Sequence, residues 1–422
     1  MVAPVIRRPT TILALLTALN LLNYLDRFVL SAVLPKVQDD LHLSNFVGGS
    51  LATVFLIGYF MTSPIFGILA DRVGPRGKGR NVLLALGIAV WSAATVGSGL
   101  AQSAGALIAA RVFVGVGEAS YATIAPTLID EVAPAASKGT WMAIFYAATP
   151  VGSALGYLVG GAVENATHNW RHAFFVAGIP GMALAALCLL LANPQAEQGV
   201  SSDASERPSA LGSVREFFAN PLYRTTVLGY AAYTFALGGF AFWAPKYLHA
   251  RYGLETGKAS FQFGLVTVVA GLVGTVLGGR MADYACRNAK DEASIARGNL
   301  VVCAISAGLG APLAAAAIAA PTATGFFLLV FPCEVALFLQ SGPVNVAVLR
   351  SVPAGLRASA MALSIWAIHF LGDLWSPPLI GLAADHAPIE WAMFAGPLFF
   401  VLSAVVWWQG RLARTSQGAA AG

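Results

Sequence analysis

Four places in this 422-residue chain set ionisable side chains among apolar neighbours that offer them few partners. Asn23-Tyr24-Leu25-Asp26-Arg27 puts an acid beside a base inside a long apolar run. In another run Arg111 and Glu118 stand seven residues apart, which on a helix is two turns along nearly one face. His369 and Asp373 are four apart in a third run, and Glu334 interrupts a fourth. Such groups can exchange protons and bind anions. If the first two runs face each other, Asp26 and Glu118 share Arg27 and Arg111, and a change of pairing leaves one carboxylate open to a proton. The bland alternative is a cluster that neutralises itself and pins helices together. Two acids in one buried cluster repel, which favours Asp26 and Glu118 as proton carriers. His369 can donate to a phosphate or head group, or be satisfied locally by Asp373.

The elements that hold these groups follow from composition. Apolar residues make up 57% of the chain and charged ones 11%, against about 25% charged in a soluble domain. The mean hydropathy is +0.70. Apolar stretches long enough to cross ~30 Å of hydrocarbon recur near 10–34, 46–70, 81–101, 105–130, 139–163, 171–192, 223–248, 259–283, 298–320, 323–350, 356–384 and 390–410. They lack the alternation of a membrane barrel, so the fold class is all-α, with twelve transmembrane helices. An ionisable group inside such a span costs about 2.5–3.5 kcal/mol even on the mild insertion scale, so it is seldom kept without a purpose.

Charge and cysteine content narrow the class further. The net charge of +5 comes from Lys and Arg in short clusters between spans, with no continuous basic face, so nucleic acid is not a partner. With both termini in the cytoplasm, most of the 25 basic residues fall on that side. Cys188, Cys286, Cys303 and Cys333 show no CxxC spacing and suit neither a metal site nor a disulfide framework. Arg7 and Arg8 before an apolar run mimic a signal peptide, but the run continues to Leu34 without a cleavage site and reads as a retained first span.

The stretch 193–222, rich in Ser, Ala, Glu, Gln and Pro, falls at the midpoint and reads as a cytoplasmic linker between six-helix bundles at 1–192 and 223–422. Repetition supports that division. Gly67-Ile-Leu-Ala-Asp71-Arg72 is echoed 212 positions on by Gly279-Arg-Met-Ala-Asp283-Tyr284, and Pro134-Ala-Ala-Ser-Lys138 is echoed 219 positions on by Pro353-Ala-Gly-Leu-Arg357. Parallel halves of this kind commonly enclose a midplane site and rock around it. No HExxH, GxSxG or Walker sequence is present, and Gly115-Val-Gly117 lies inside a span without the strand a dinucleotide fingerprint needs. The expectation is a transporter driven by a gradient, with no enzymatic activity, no cofactor and no metal.

Gly67-Ile-Leu-Ala-Asp71-Arg72-Val-Gly74-Pro-Arg76-Gly-Lys78-Gly-Arg80 resembles the signature between the second and third helices of the major facilitator superfamily. Gly67 would let helices approach closely, and Asp71, Arg72 and Arg76, with Asp283 in the second half, would form a cytoplasmic gate, the basic residues including Arg80 holding the loop in water. Arg111-Val-Phe-Val-Gly115-Val-Gly117-Glu118-Ala-Ser120-Tyr121, Pro150-Val-Gly152-Ser-Ala-Leu-Gly156-Tyr157 and His369-Phe-Leu-Gly372-Asp373-Leu-Trp-Ser376-Pro377 resemble the spinster-like transporters. That resemblance implies a monomer that moves lysophospholipids or sphingosine phosphates with proton coupling. It implies a head group held by Arg27, Arg111, Tyr24, Tyr121, His369 and Asp373, and a tail along an apolar wall. The short loops and termini suggest a bacterial member, in the cell membrane. A proton symporter of a small organic anion is the nearest rival; a lipid-modifying enzyme based on His369 and Asp373 and a lipid receptor that does not transport are the others.

Overall fold

A backbone in hydrocarbon has to satisfy its own hydrogen bonds, and apart from one bridge between Ile6 and Leu191 the computed structural model does so with helices. It describes residues 6–73, 79–134, 138–191, 215, 217–353 and 356–412. The first six helices are α1 (Pro9–Leu41), α2 (Asn45–Val73), α3 (Gly79–Leu100), α4 (Ala104–Val132), α5 (Lys138–Thr167) and α6 (Trp170–Cys188). After them come α7 (Pro221–Tyr252), α8 (Thr256–Cys286), α9 (Glu292–Ala319), α10 (Ala323–Phe338) and α11 (Pro343–Arg350). The chain closes with α12 (Arg357–Ile368), a π-helical segment (His369–Asp373), α13 (Ser376–His386), α14 (Ile389–Met393) and α15 (Ala395–Leu412). Among the described residues ten spans are long and apolar enough to cross a membrane, α10 with α11 and α14 with α15 each counting as one. Helix α5 and the interrupted helix at 357–386 bring the number to twelve.

Helix ends are set by short polar side chains that accept from otherwise unpaired N–H groups. Ser103 caps α4, Asn169 caps α6, Asp291 caps α9 and Thr322 caps α10. Proline sets the breaks inside spans. The tenth span, expected to be continuous over 323–350, stops at Phe338 and restarts at Pro343. The eleventh, expected to be one helix over 356–384, opens into the π segment at His369–Asp373, where Leu374 N–H donates to His369 O at 3.1 Å. Pro377 and Pro378 have no N–H to return to the carbonyls of Asp373 and Leu374, so the α ladder cannot run through.

The chain divides into two compact units, Met1–Ser202 with Leu248–Leu265, and Asp203–Tyr247 with Val266–Gly422. The linker expected at 193–222 lies outside the described residues except for 215 and 217–222. Helix pairing inside the units corresponds. In the first, α3 packs on α4 and α6; in the second, α9 packs on α10 and α15. Helix α1 packs on α5 where Gly152 meets the carbonyl of Leu21, and α7 packs on the π segment where Gly372 meets the carbonyl of Ala231. Polar tips of buried rings fasten these contacts, each donating to a carbonyl on another helix: Tyr121 to Leu16 at 2.5 Å, Tyr233 to Leu337 at 2.7 Å, Trp243 to Pro377 at 2.9 Å and Trp407 to Thr226 at 3.0 Å.

Gly67 does not make the close approach expected of it. A Cβ there would meet only the Thr123 methyl of α4, at an ordinary 3.8 Å. The tight crossing of α2 and α4 lies deeper, where Cβ atoms on Gly58 and Gly115 would fall on the carbonyls of Val112 and Phe55. Backbone on both sides cannot give way. Gly115→Ala is therefore expected to destabilise the protein by about 1–3 kcal/mol, the usual cost of overpacking, and Gly67→Ala to leave the thermal midpoint in detergent within error of wild type. Equal midpoints for the two variants would refute this account of the crossing.

Candidate functional site

Asp26 and Arg27 are neighbours on α1, so their side chains leave the helix about 100° apart and cannot share one partner. Both reach α4. Arg27 Nε donates to Glu118 Oε2 at 2.8 Å, and Arg111 Nη1 stands 3.5 Å from Asp26 Oδ1. The pairing is crossed: the base of α1 meets the acid of α4, and the acid of α1 meets the base of α4. Thr95 of α3 donates its hydroxyl to the other oxygen of Asp26. Three helices of the first unit thus converge on one cluster.

Aromatic rings of α1 and α2 cover the cations. The Arg27 guanidinium lies over Tyr24 at 4.8 Å, Phe55 at 5.0 Å and Tyr59 at 5.3 Å from the ring centroids. Phe55 also faces Arg111, at 5.2 Å. A ring face attracts a desolvated cation by roughly 0.5–2 kcal/mol, so Phe55 serves both bases without accepting a proton from either. Asp26, Arg111 and Glu118 are fully buried, whereas the side chain of Arg27 is 18% exposed. Of the four charges, Arg27 is the one a solute can reach.

The cluster is incompletely satisfied. Asp26 Oδ1, Glu118 Oε1, Arg111 Nε and Nη1, and Nδ2 of the neighbouring Asn23 are buried without a hydrogen-bond partner. A buried ion pair built only to hold helices together repays its desolvation when the remaining donors and acceptors are used. Here Arg111 and Asp26 meet at ion-pair distance and keep hydrogen-bonding capacity in reserve, the condition under which partners can be exchanged.

The other expected site residues are distributed as follows. Tyr121, one turn beyond Glu118, is buried with its hydroxyl spent on Leu16 O and its ring edge against Trp91 at 5.6 Å. His369 and Asp373 belong to the second unit and bind each other, Nδ1 lying 2.9 Å from Oδ1 and 3.0 Å from Oδ2. Both remain partly exposed. Glu334 is buried on α10, where Oε1 accepts from Thr267 of α8 at 3.0 Å and Oε2 has no partner. Of the aromatic residues near the eleventh span, Trp366 and Phe370 are exposed and stacked at 4.7 Å, while Phe235, Phe240 and Trp243 are buried.

In the loop signature, Arg72 is exposed on α2, Asp283 is exposed on α8, and Arg76 and the side chain of Asp71 lie outside the described residues. Arg80 departs from expectation. It is buried, donating to Glu131 at 2.7 Å and to Thr127 at 2.5 Å, so it ties α3 to α4 instead of anchoring the loop in water. Sequence reasoning missed Thr95, Phe55 and Tyr59. A hydroxyl or a ring in an apolar span carries no mark of its own until its neighbours across helices are known.

Comparison with known proteins bears on the fold and the family. The profile of the Major Facilitator Superfamily matches residues 16–377. The curated "Probable sphingolipid transporter spinster homolog 2" of Arabidopsis thaliana is 33% identical over 433 residues, covering 94% of this chain and 86% of that protein. Protein spinster homolog 1 of Homo sapiens is 33% identical over 407 residues, covering 91% of this chain and 74% of that one. Among solved structures, a bacterial homologue of the human lysosomal transporter spinster, inward-facing and unoccupied, aligns with TM-score 0.82 over 96% of this chain and 97% of that one. At 21% identity that likeness bears on the fold. A twelve-span helical chain with this profile and these relatives is a membrane transporter and not an enzyme, and it belongs to the spinster family of the major facilitator superfamily.

Proposed function

We propose that this transporter moves an amphiphile with one long apolar tail and a phosphate-bearing head, of the lysophospholipid or sphingolipid-phosphate kind, by alternating access coupled to protons. The observation that carries the reading is the crossed, incompletely bonded pairing of Asp26, Arg27, Arg111 and Glu118. Protonation of Glu118 would release Arg27, the exposed member, toward a phosphate, which a guanidinium binds with two parallel hydrogen bonds. Protonation of Asp26 would release Arg111 in the same way. Coupling then requires that the two open states hold these protons with different strength. The relative in Arabidopsis named for sphingolipid transport supports the substrate class.

In this reading Tyr24 lines the approach to the head-group site, with Tyr121 buried behind it on Leu16 O, and His369 with Asp373 offers a polar pair of its own in the second unit. Gly67, Asp71, Arg72, Arg76 and Asp283 form the gate on the cytoplasmic side, where the excess of Lys and Arg also puts both termini. The two bundles, 1–192 and 223–422, act as bodies joined by the linker at 193–222. In this reading the protein works in a bacterial cell membrane, as a monomer.

Proteoliposomes with an imposed pH gradient test the coupling. Glu118→Gln and Asp26→Asn are expected to lower gradient-driven accumulation of a lysophospholipid at least tenfold, while exchange without a gradient persists. Should both variants accumulate substrate as wild type does, the proton role is wrong. Arg27→Lys keeps the charge but loses the planar fork and its stacking on Tyr24 and Phe55. It is expected to raise the substrate concentration at half-maximal transport about tenfold, equivalent to about 1.4 kcal/mol. Unchanged concentration dependence would remove Arg27 from the head-group site. A transport preference for small organic anions over every lysolipid would overturn the substrate class and leave the coupling scheme standing.

A further inference from the structure

A second basic site lies in the second unit, at the end where α8 finishes, α9 starts and α15 finishes. A cavity of about 450 Å³ opens there, lined among others by Ala285, Ala289, Arg297, Val301, Arg411 and Leu412. That volume falls in the range of roughly 300–1,000 Å³ typical of small-molecule sites. Three membrane spans, Thr256–Cys286, Glu292–Ala319 and Ile389–Leu412, end at this cavity, which puts it at the boundary between hydrocarbon and water. Tyr284 and Trp408, both exposed, flank it in the manner of rings that settle at the lipid head-group level. Each carries an arginine on its face: Arg287 lies 3.9 Å from the Tyr284 centroid and Arg411 lies 3.5 Å from that of Trp408.

The nearby acids cancel only part of the charge at this end: Asp291 lies beside Arg297, and Asp283 is exposed near the end of α8. Glu292 is engaged by Arg350 at 2.7 Å and by Arg357 at 2.5 Å, and Asp291 is engaged in capping α9 through Ser294 N–H at 2.6 Å. Arg287 and Lys290 stand exposed near the cavity. Arg411 has its Nε buried without a hydrogen-bond partner while stacking on Trp408 fixes its guanidinium plane. Apart from Asn288 and Ser294 the rest of the lining is apolar, which suits a glycerol backbone and the start of an acyl chain better than a free, fully hydrated anion.

We propose that this cavity holds the phosphate head group of an anionic membrane phospholipid, gripped by Arg297 and Arg411. Basic pockets between spans at the membrane surface bind anionic head groups in this way. The site is separate from the crossed cluster of the first unit, and nothing in the proposal depends on the transported substrate.

Native mass spectrometry of the whole protein, taken from mixed micelles of phosphatidylglycerol and phosphatidylcholine, tests it. Wild type is expected to retain phosphatidylglycerol preferentially, and Arg411→Gln and Arg297→Gln each to lower that preference about fivefold, the usual effect of one basic residue at an anionic surface. Ala289→Glu sets a carboxylate in the lining without touching either arginine and should abolish the preference; Arg251→Gln, at the other end of α7, should leave it unchanged. Wild type that retains the two lipids equally overturns the proposal whatever the variants do, as does a preference that survives both Arg411→Gln and Ala289→Glu. Inorganic phosphate that raises the thermal midpoint as much as phosphatidylglycerol does would assign the cavity to a free anion and overturn the lipid.

Discussion

The interior of the first unit is arranged around a crossed pairing of charges between α1 and α4. Low dielectric makes a lone buried charge far more expensive than a paired one, so Asp26 and Arg27 can stay inside the bundle only while Arg111 and Glu118 stand opposite. That demand sets the surroundings. The α2–α4 crossing at Gly58 and Gly115 brings Phe55 to within 5.2 Å of Arg111. Thr95 completes one side of Asp26. On the far face of α1, Gly152 and Gly156 let α5 lie against the carbonyls of Leu21 and Leu25, which fixes the height at which the acid and base of α1 are presented. Packing that admits no methyl group and a charge cluster that admits no unpaired member are two faces of the same constraint.

Incomplete bonding is what separates this cluster from a structural staple. The guanidinium of Arg80 shows the contrast inside the same unit, although Glu131 Oε2 is itself buried without a partner. There the guanidinium uses two of its nitrogens, on Glu131 and Thr127, at 2.7 Å and 2.5 Å. Arg111 meets Asp26 at 3.5 Å and leaves Nε and Nη1 without hydrogen bonds. A guanidinium whose nitrogens are engaged is held in place, whereas one with donors in reserve has a second arrangement near in energy, and a transporter that visits two states needs such an element. Arg27 adds access. It is the exposed member, and a ring on three sides keeps it desolvated without neutralising it.

Much of this was legible in the residues because the membrane restricts the choices so severely. Once a span holds Asp26 and Arg27 and another holds Arg111 and Glu118 at helical spacing, pairing between them is nearly the only affordable outcome. What stayed hidden depends on contacts between helices that have no sequence periodicity. Phe55 and Tyr59 look like any lipid-facing aromatic, and Thr95 like any hydroxyl that bonds back within its own helix. Arg80 was misread because a basic residue next to a loop usually points to water; the acid that draws it inward, Glu131, lies 51 positions away. The π segment was hidden for another reason. His369 and Asp373 are four apart whether the helix is α or π, and the signal lay beyond them, in the two missing N–H groups at Pro377 and Pro378.

Duplication explains why the units correspond in packing yet differ in chemistry. The pair Arg80 and Glu131 has a counterpart in Glu292 and Arg350, at the same offsets of 212 and 219 that relate the repeated motifs. The helix pairing is kept and the charges are reversed, as expected if each partner drifted while the attraction was preserved. The acid of α4 also has a counterpart: Glu334 follows Glu118 by 216 positions, again inside a span. Its partner is a hydroxyl, Thr267, and among the described residues no base stands against it. Helix α7, the counterpart of α1, carries Phe235, Ala236 and Leu237 where the match of Leu21 to Ala231 aligns Leu25, Asp26 and Arg27. One unit has thus concentrated the paired charges, while the other has kept a solitary acid and gained a broken helix with a histidine. A symmetric pair of charged clusters would pay for desolvation twice; dividing the roles leaves the second bundle, among the described residues, only the single acid Glu334 to bury.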